Sequence, residues 1–142
     1  MSRAKNVPLA IVWAIITATA GGYVCGLIIN RYGEFGSLSL WAMGALGGYV
    51  GQRILIGRSR LVGSLLIVSS ISAMVIAEVC WIHWNIEGAE SWQAALKLLP
   101  AFVQQYEQAA LIAAIATAFG AWSAYRQTAV GYRRFDFDIS GK

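Results

Sequence analysis

The chain has 142 residues, of which 58% are hydrophobic and 13% are charged, about half of the ~25% that is usual in soluble domains. Four stretches without Asp, Glu, Lys or Arg together cover 78 residues. Each is 17 to 25 residues long, which is the length that a transmembrane helix needs. These numbers exclude a small soluble enzyme. They predict an all-α polytopic membrane protein, with residues 1–142 as a single integral membrane domain.

The net charge of +4 comes from basic residues that flank the apolar stretches. Arg3 and Lys5 precede the first stretch, and Arg58 and Arg60 follow the second. This placement is typical of the positive-inside rule of membrane proteins. We therefore expect a lipid bilayer as the surrounding partner, and no nucleic acid.

Four transmembrane helices are predicted in chain order, at about residues 8–29, 37–56, 61–84 and 109–125. Helices are expected because unpaired backbone groups are too costly in hydrocarbon. The stretches are also too long and too little alternating for barrel strands.

Six glycines in the first two predicted spans have spacings typical of helix packing. They are Gly22, Gly26, Gly44, Gly47, Gly48 and Gly51. We expect them to pack the first helix against the second, and contact between copies of the chain is the alternative.

The tetrapeptide Gly-Gly-Tyr-Val occurs at 21–24 and again at 47–50, which could mark an inverted repeat.

Glu78 is the only acidic residue inside an apolar stretch, so it is a candidate functional group. It lies in the outer third of the predicted third span. A pairing with Arg31 at the end of the first span, or a water-filled vestibule, is the structural interpretation. A proton or cation site and a docking charge for a partner are the alternatives.

An amphipathic segment at about 90–107 connects the third and fourth spans on the outer side. Its apolar stripe is predicted to consist of Trp92, Leu96, Leu99, Val103 and Tyr106. The segment is expected to be an interfacial or re-entrant helix that Pro100 breaks or kinks. The alternative is a lid or a surface that docks a neighbouring protein.

After the fourth span, residues 127–142 are predicted to be a cytoplasmic tail.

Cys25 and Cys80 each lie four residues from the outer end of a predicted span. They are candidates for an outer-side disulfide or for two free thiols. Scattered as they are, these two cysteines and the lone His83 do not form a three- or four-ligand zinc site without help from other groups. We therefore expect no catalytic, metal-binding or cofactor-binding residues and no cofactor.

Orientation follows from the basic residues, because nine of the eleven lie on one side of the predicted bundle. This bias predicts that both the N-terminus and the C-terminus are cytoplasmic.

The turn Glu34-Phe35-Gly36, Trp41 and the run Gly-Ala-Leu-Gly-Gly at 44–48 resemble a family of small four-helix proteins of the bacterial inner membrane. The run Ala-Trp-Ser-Ala-Tyr-Arg at 121–126 is similar to the end of their last helix, and the likeness covers roughly residues 12–129. It implies an inner-membrane location, with the amphipathic segment in the periplasm, and no reaction. A Gly-Lys pair that members often carry in the third helix corresponds here to Ala77-Glu78, with the opposite charge.

From these features we expect the protein to function by associating with other membrane proteins or with copies of itself. The chain would be a non-enzymatic accessory or scaffold subunit of a membrane assembly, or a homo-oligomer, through its glycine-rich second helix. A small transporter or channel that uses Glu78 as a proton or cation site is the alternative. A membrane enzyme or redox carrier that uses His83 or the cysteines is a third.

Overall fold

The structure is a computed structural model that describes residues 2–54, 60–86 and 90–130. Its α-helices are α1 (Ser2–Ile16), α2 (Gly22–Tyr32), α3 (Ser39–Ile54), α4 (Arg60–Asn85), α5 (Trp92–Gln105) and α6 (Glu107–Tyr125). The π-helical turn Thr17–Gly21 joins α1 to α2, a 3-10 helix at Gly33–Leu38 precedes α3, and a second π-helical turn at Arg126–Val130 extends α6. These described segments contain no strand, which confirms the predicted all-α class.

Three helices in the described ranges are long and apolar enough to cross a membrane. They are Pro8–Tyr32, Arg60–Asn85 and Glu107–Thr128, and they coincide with the first, third and fourth predicted spans. The second predicted span differs, because α3 has only 16 residues and is about 24 Å long at ~1.5 Å per residue. Residues 55 and 56 of that prediction lie outside the described residues.

α4 is the central helix of the bundle, because each of the other five α-helices contacts it. The face that it presents to α2 includes Ala73 and Ala77, which are both fully buried, and Ile76, which packs on Gly22. Small side chains let two helix backbones approach closely. A Cβ atom on Gly22 would lie 2.9 Å from the Ala73 carbonyl oxygen, and one on Gly26 would lie 3.0 Å from the Cys80 Cβ. The residue numbers of the contacting pairs rise together on both helices, so α2 and α4 are parallel.

α3 and α6 form a second parallel pair of the same kind. A Cβ atom on Gly44 would lie 2.6 Å from the Gly120 backbone, and one on Gly48 would lie 2.6 Å from the Ala124 Cα. Such distances leave no room for a side chain at either glycine. The two helices therefore touch backbone to backbone.

The two parallel pairs run in opposite directions, as the contacts between α3 and the first long helix show. Gly47 faces Thr17, and Gly51 faces Trp13, so the residue numbers rise on one helix as they fall on the other. Gly47 and Gly51 thus lie between the first and second predicted spans, as expected. The other four glycines differ from that expectation: Gly22 and Gly26 face α4, and Gly44 and Gly48 face α6.

The C-terminal helix continues beyond the predicted start of the tail at residue 127. Gln127 and Thr128 are buried, and Gln127 Nε2 donates a hydrogen bond of 3.0 Å to the Ala45 carbonyl oxygen. The predicted boundary is therefore too early, because these two polar residues find partners inside the bundle. The remainder of the predicted tail, residues 131–142, lies outside the described residues.

α5 packs across one end of α4, with Ala95 and Phe102 buried against Ile82. Four of the five residues in the predicted apolar stripe, Trp92, Leu96, Val103 and Tyr106, are exposed, so α5 packs on α4 with a different face. The helix is apolar on two faces, and residue spacing alone does not show which face meets the neighbouring helix. The predicted break at Pro100 is also wrong, since α5 continues through this residue.

We expect Gly44→Ala to destabilise the bundle by about 1–3 kcal/mol, the usual effect of overpacking, because the new methyl group would meet the Gly120 backbone. The matched control is Gly47→Ala on the same helix. Its methyl group would meet only the Thr17 side chain, at 3.0 Å. Unfolding of the detergent-solubilised protein by dodecyl sulfate, followed by circular dichroism, measures both variants. Equal losses of stability in the two variants would contradict the contact between α3 and α6.

Candidate functional site

Glu78 lies near the C-terminal end of α4 and is only 8% exposed. Its side chain lines a cavity of about 220 Å³. The other lining residues are Ile29, Gly33, Ser37, Trp81, Phe102, Tyr106 and Ala109. The cavity therefore lies where four segments of the chain meet: the end of α2, the following 3-10 helix, α4, and the junction of α5 with α6.

The position of the 3-10 helix depends on a close backbone approach at Gly36. A Cβ atom there would lie 2.7 Å from both the Ile28 carbonyl oxygen and the Ile29 Cα. Only glycine allows this segment to lie directly on the last turn of α2. The approach brings the neighbouring Ser37, which is buried, to the cavity.

Three aromatic rings form one wall of the cavity. The Trp81 ring centroid lies 5.3 Å from that of Phe102 and 5.7 Å from that of Tyr106. The Phe102 and Tyr106 centroids are 5.2 Å apart. Trp81 follows Glu78 by three residues on α4, so helical periodicity directs both side chains to the same side of that helix. Phe102 lies on α5, and Tyr106 is the residue that follows its last turn.

α5 is held over the cavity by contacts along its whole length. The Trp92 ring at its start stacks on His83, with centroids 4.2 Å apart and an interplanar angle of 29°. The Ser91 hydroxyl accepts a hydrogen bond from the Ala94 N–H and caps the helix. At the same end of the bundle Asn85 Nδ2 donates to Asn30 Oδ1 at 2.7 Å, which joins the ends of α2 and α4.

Arg31 does not pair with Glu78, although the sequence makes it a candidate partner. Arg31 is exposed, whereas Ile29 and Gly33, on either side of it, line the cavity. Two residues correspond to about 200° of rotation around a helix. Arg31 is therefore directed away from the carboxylate.

Glu78 has no hydrogen-bond or ion-pair partner within the described residues. An ionised carboxylate that is removed from water loses several kcal/mol of solvation unless a cation or N–H and O–H donors compensate. The cavity beside it is large enough for several water molecules. Two of its lining residues, Gly33 and Tyr106, are exposed, so a solute can reach it from the surface.

The two cysteines are free and buried. Cys25 lies on α2 and Cys80 on α4, where the Cys80 Cβ packs against Gly26. Cys25 belongs to a buried cluster that also contains Leu40 and Ala77. The thiols thus contribute to helix packing.

A second cavity is an apolar groove of about 460 Å³ between the first long helix and α3. Small residues on both sides keep it open, among them Ala20, Gly21, Ala42 and Gly47. Near one end Trp13 Nε1 donates a hydrogen bond of 2.9 Å to the Gly47 carbonyl oxygen. Ser39 also lines the groove, beside the Cys25 thiol.

No group of three or more His, Cys, Asp or Glu side chains that could hold a metal ion occurs in the part of the chain that the structure describes. Comparison of the whole chain with protein-family models, curated proteins and solved structures finds no match. The geometry of the cavity and of the groove therefore carries the functional argument alone.

The aromatic wall is the part of the site that sequence reasoning missed. Glu78 is recognisable as a charge in an apolar stretch, and Tyr106 belongs to the predicted stripe of α5. Phe102 does not belong to that stripe. Its role depends on how α5 rotates against α4, for which the sequence contains no direct signal.

Proposed function

We propose that the protein is a non-enzymatic, four-span integral membrane protein of the bacterial inner membrane that works by association. It would serve as an accessory or scaffold subunit of a membrane assembly, or as a homo-oligomer. The observation that carries this proposal is the apolar groove between the first long helix and α3, which no segment of the described chain fills.

The four-span architecture is supported by the register of α3 against the long helices. Its contacts with the first helix extend from Met43 beside Gly21 to Gly51 beside Trp13. The 3-10 helix before it adds about 12 Å at ~2.0 Å per residue. Together with the ~24 Å of α3, this exceeds the ~30 Å thickness of the hydrocarbon core. Gly33–Ile54 would thus be the second span.

The proposed orientation has both termini in the cytoplasm and α5 on the periplasmic side. Nine of the eleven Lys and Arg residues would then lie inside. An odd number of crossings would place the two termini on opposite sides of the membrane. The location of the C-terminus thus tests the number of spans.

Fusions at two sites distinguish four spans from three. We expect green fluorescent protein to fluoresce when it is fused after Lys142, because it folds in the cytoplasm. Alkaline phosphatase should be active only when it is fused after Glu90, because it needs the oxidising periplasm. Active phosphatase after Lys142, with the N-terminus inside, would contradict the four-span topology.

The occupant that we propose for the groove is a transmembrane helix of a second polypeptide. Interfaces between such helices are rich in small residues, and hydroxyl groups donate hydrogen bonds across them. Ala20, Gly21 and Ala42 supply the small residues of such an interface. The six packing glycines contact other helices of the same chain. An association through them would therefore compete with the fold, whereas the groove is free.

Ala42→Trp should abolish the association, because the indole ring fills the groove from α3. The matched control is Ala118→Trp on α6, at an exposed position outside the groove. The mass of the complex extracted from native membranes into nanodiscs measures the effect. A monomeric wild-type protein with only lipid bound would overturn the proposal, and so would equal complexes from both variants.

A small transporter or channel is the second candidate function, and the buried carboxylate beside the 220 Å³ cavity favours it. Glu78→Gln should reduce the flux of protons or monovalent cations into liposomes to the level of protein-free liposomes. Glu107→Gln, which changes an exposed carboxylate at the start of α6, should leave the flux unchanged. Unchanged flux in Glu78→Gln would remove Glu78 from any transport mechanism.

A further inference from the structure

The cavity at Glu78 combines two features that together specify a ligand. One is a carboxylate that is 8% exposed and has no partner within the described residues. The other is the wall of three aromatic rings, formed by Trp81, Phe102 and Tyr106, whose centroids lie 5.2 to 5.7 Å apart. We propose that this cavity is a binding site for a small organic ammonium ion, which the carboxylate neutralises and the aromatic rings enclose.

The aromatic wall favours an organic cation over a metal ion. Ca²⁺ requires six to eight oxygen ligands and Mg²⁺ nearly ideal octahedral geometry, whereas the described side chains that line this cavity offer the Glu78 carboxylate and the Ser37 and Tyr106 hydroxyls. Alkylammonium ions need few hydrogen bonds, and their diffuse charge is attracted to the faces of aromatic rings. Ile29 and Ala109 complete an apolar lining that suits methyl groups.

The size and position of the cavity fit this ligand. A volume of about 220 Å³ holds several water molecules, and therefore an ammonium ion that carries a few methyl or ethyl groups. The exposed residues Gly33 and Tyr106 give access from the surface. The cavity lies at the end of the bundle where Asn30 bonds to Asn85. In the proposed topology this end faces the periplasm.

The inference is independent of the association proposed above, because it uses different residues from the groove. It shares Glu78 with the transporter alternative but requires binding only. A protein that binds the cation without flux would support the site and contradict the transporter. If the Ala42→Trp variant no longer associates but still binds the cation, the groove and the Glu78 cavity are independent sites.

The test is calorimetric titration of tetramethylammonium chloride into the purified protein in nanodiscs, with sodium chloride at equal concentration as the reference. We expect saturable binding to the wild type. Glu78→Gln should weaken it by at least about tenfold, since loss of ~1.4 kcal/mol corresponds to this factor. Phe102→Leu, which removes a ring but keeps an apolar side chain, should weaken it by about threefold to tenfold. Glu107→Gln should bind like the wild type.

A comparison of ligands keeps the test decisive if a variant fails to fold. Tert-butanol has nearly the shape of tetramethylammonium but no charge, and it should bind at least about tenfold more weakly to the wild type. Equal binding of the two ligands would overturn the proposal. Absence of saturable tetramethylammonium binding, or unchanged binding to a folded Glu78→Gln variant, would overturn it too.

The ammonium group could belong to a free solute or to a lipid headgroup, and the lipid composition distinguishes these sources. Nanodiscs of phosphatidylglycerol alone are compared with nanodiscs that also contain phosphatidylethanolamine. If a headgroup occupies the cavity, the apparent binding of tetramethylammonium should be weaker in the nanodiscs that contain phosphatidylethanolamine. Equal binding in both cases would identify a free solute as the ligand.

Discussion

Backbone contact between parallel helices is the constraint on which the rest of this structure depends. In lipid, apolar side chains gain little by leaving one apolar environment for another, so helices associate through close packing of small residues. Gly22 and Gly26 provide such contact with α4, and Gly44 and Gly48 provide it with α6. Large apolar side chains have no room at these contacts. Leu46 and Phe119 accordingly point outward, with 61% and 57% of their surfaces exposed.

The repeated tetrapeptide Gly-Gly-Tyr-Val has equivalent contacts in its two copies. In each copy the first glycine faces the antiparallel neighbour: Gly21 faces Met43, and Gly47 faces Thr17. The second glycine of each copy, Gly22 or Gly48, contacts the parallel partner helix. One short motif thus specifies both neighbours of its helix. The two copies lie on helices of opposite direction, which is the arrangement expected of an inverted repeat.

The sequence predicts where the helices lie along the chain better than it predicts which face each helix turns towards its neighbours. Gaps between charges locate three long helices, because a charge inside hydrocarbon is costly at any rotation. The face of α5 that packs on α4 is not predicted, because Leu96 is as apolar as the residues that make this contact. Spacing identifies Gly22 and Gly26 as packing residues but does not name α4 as their partner. The boundary at residue 127 is too early, because Gln127 looks solvated until the Ala45 carbonyl oxygen is found beside it.

Glu78 differs from two other buried polar residues, whose hydroxyl groups find hydrogen-bond acceptors in the helix backbones. The Ser69 hydroxyl donates to the Ala14 carbonyl oxygen at 2.8 Å, and the Thr128 hydroxyl donates to that of Ala124 at 2.7 Å. Each of these hydroxyls thus finds an acceptor in a helix backbone. A carboxylate is only an acceptor, and helix backbones inside a bundle have their N–H groups already engaged. The fold therefore has no ready partner for Glu78. A cation in the aromatic-walled cavity, as we propose, would compensate its charge.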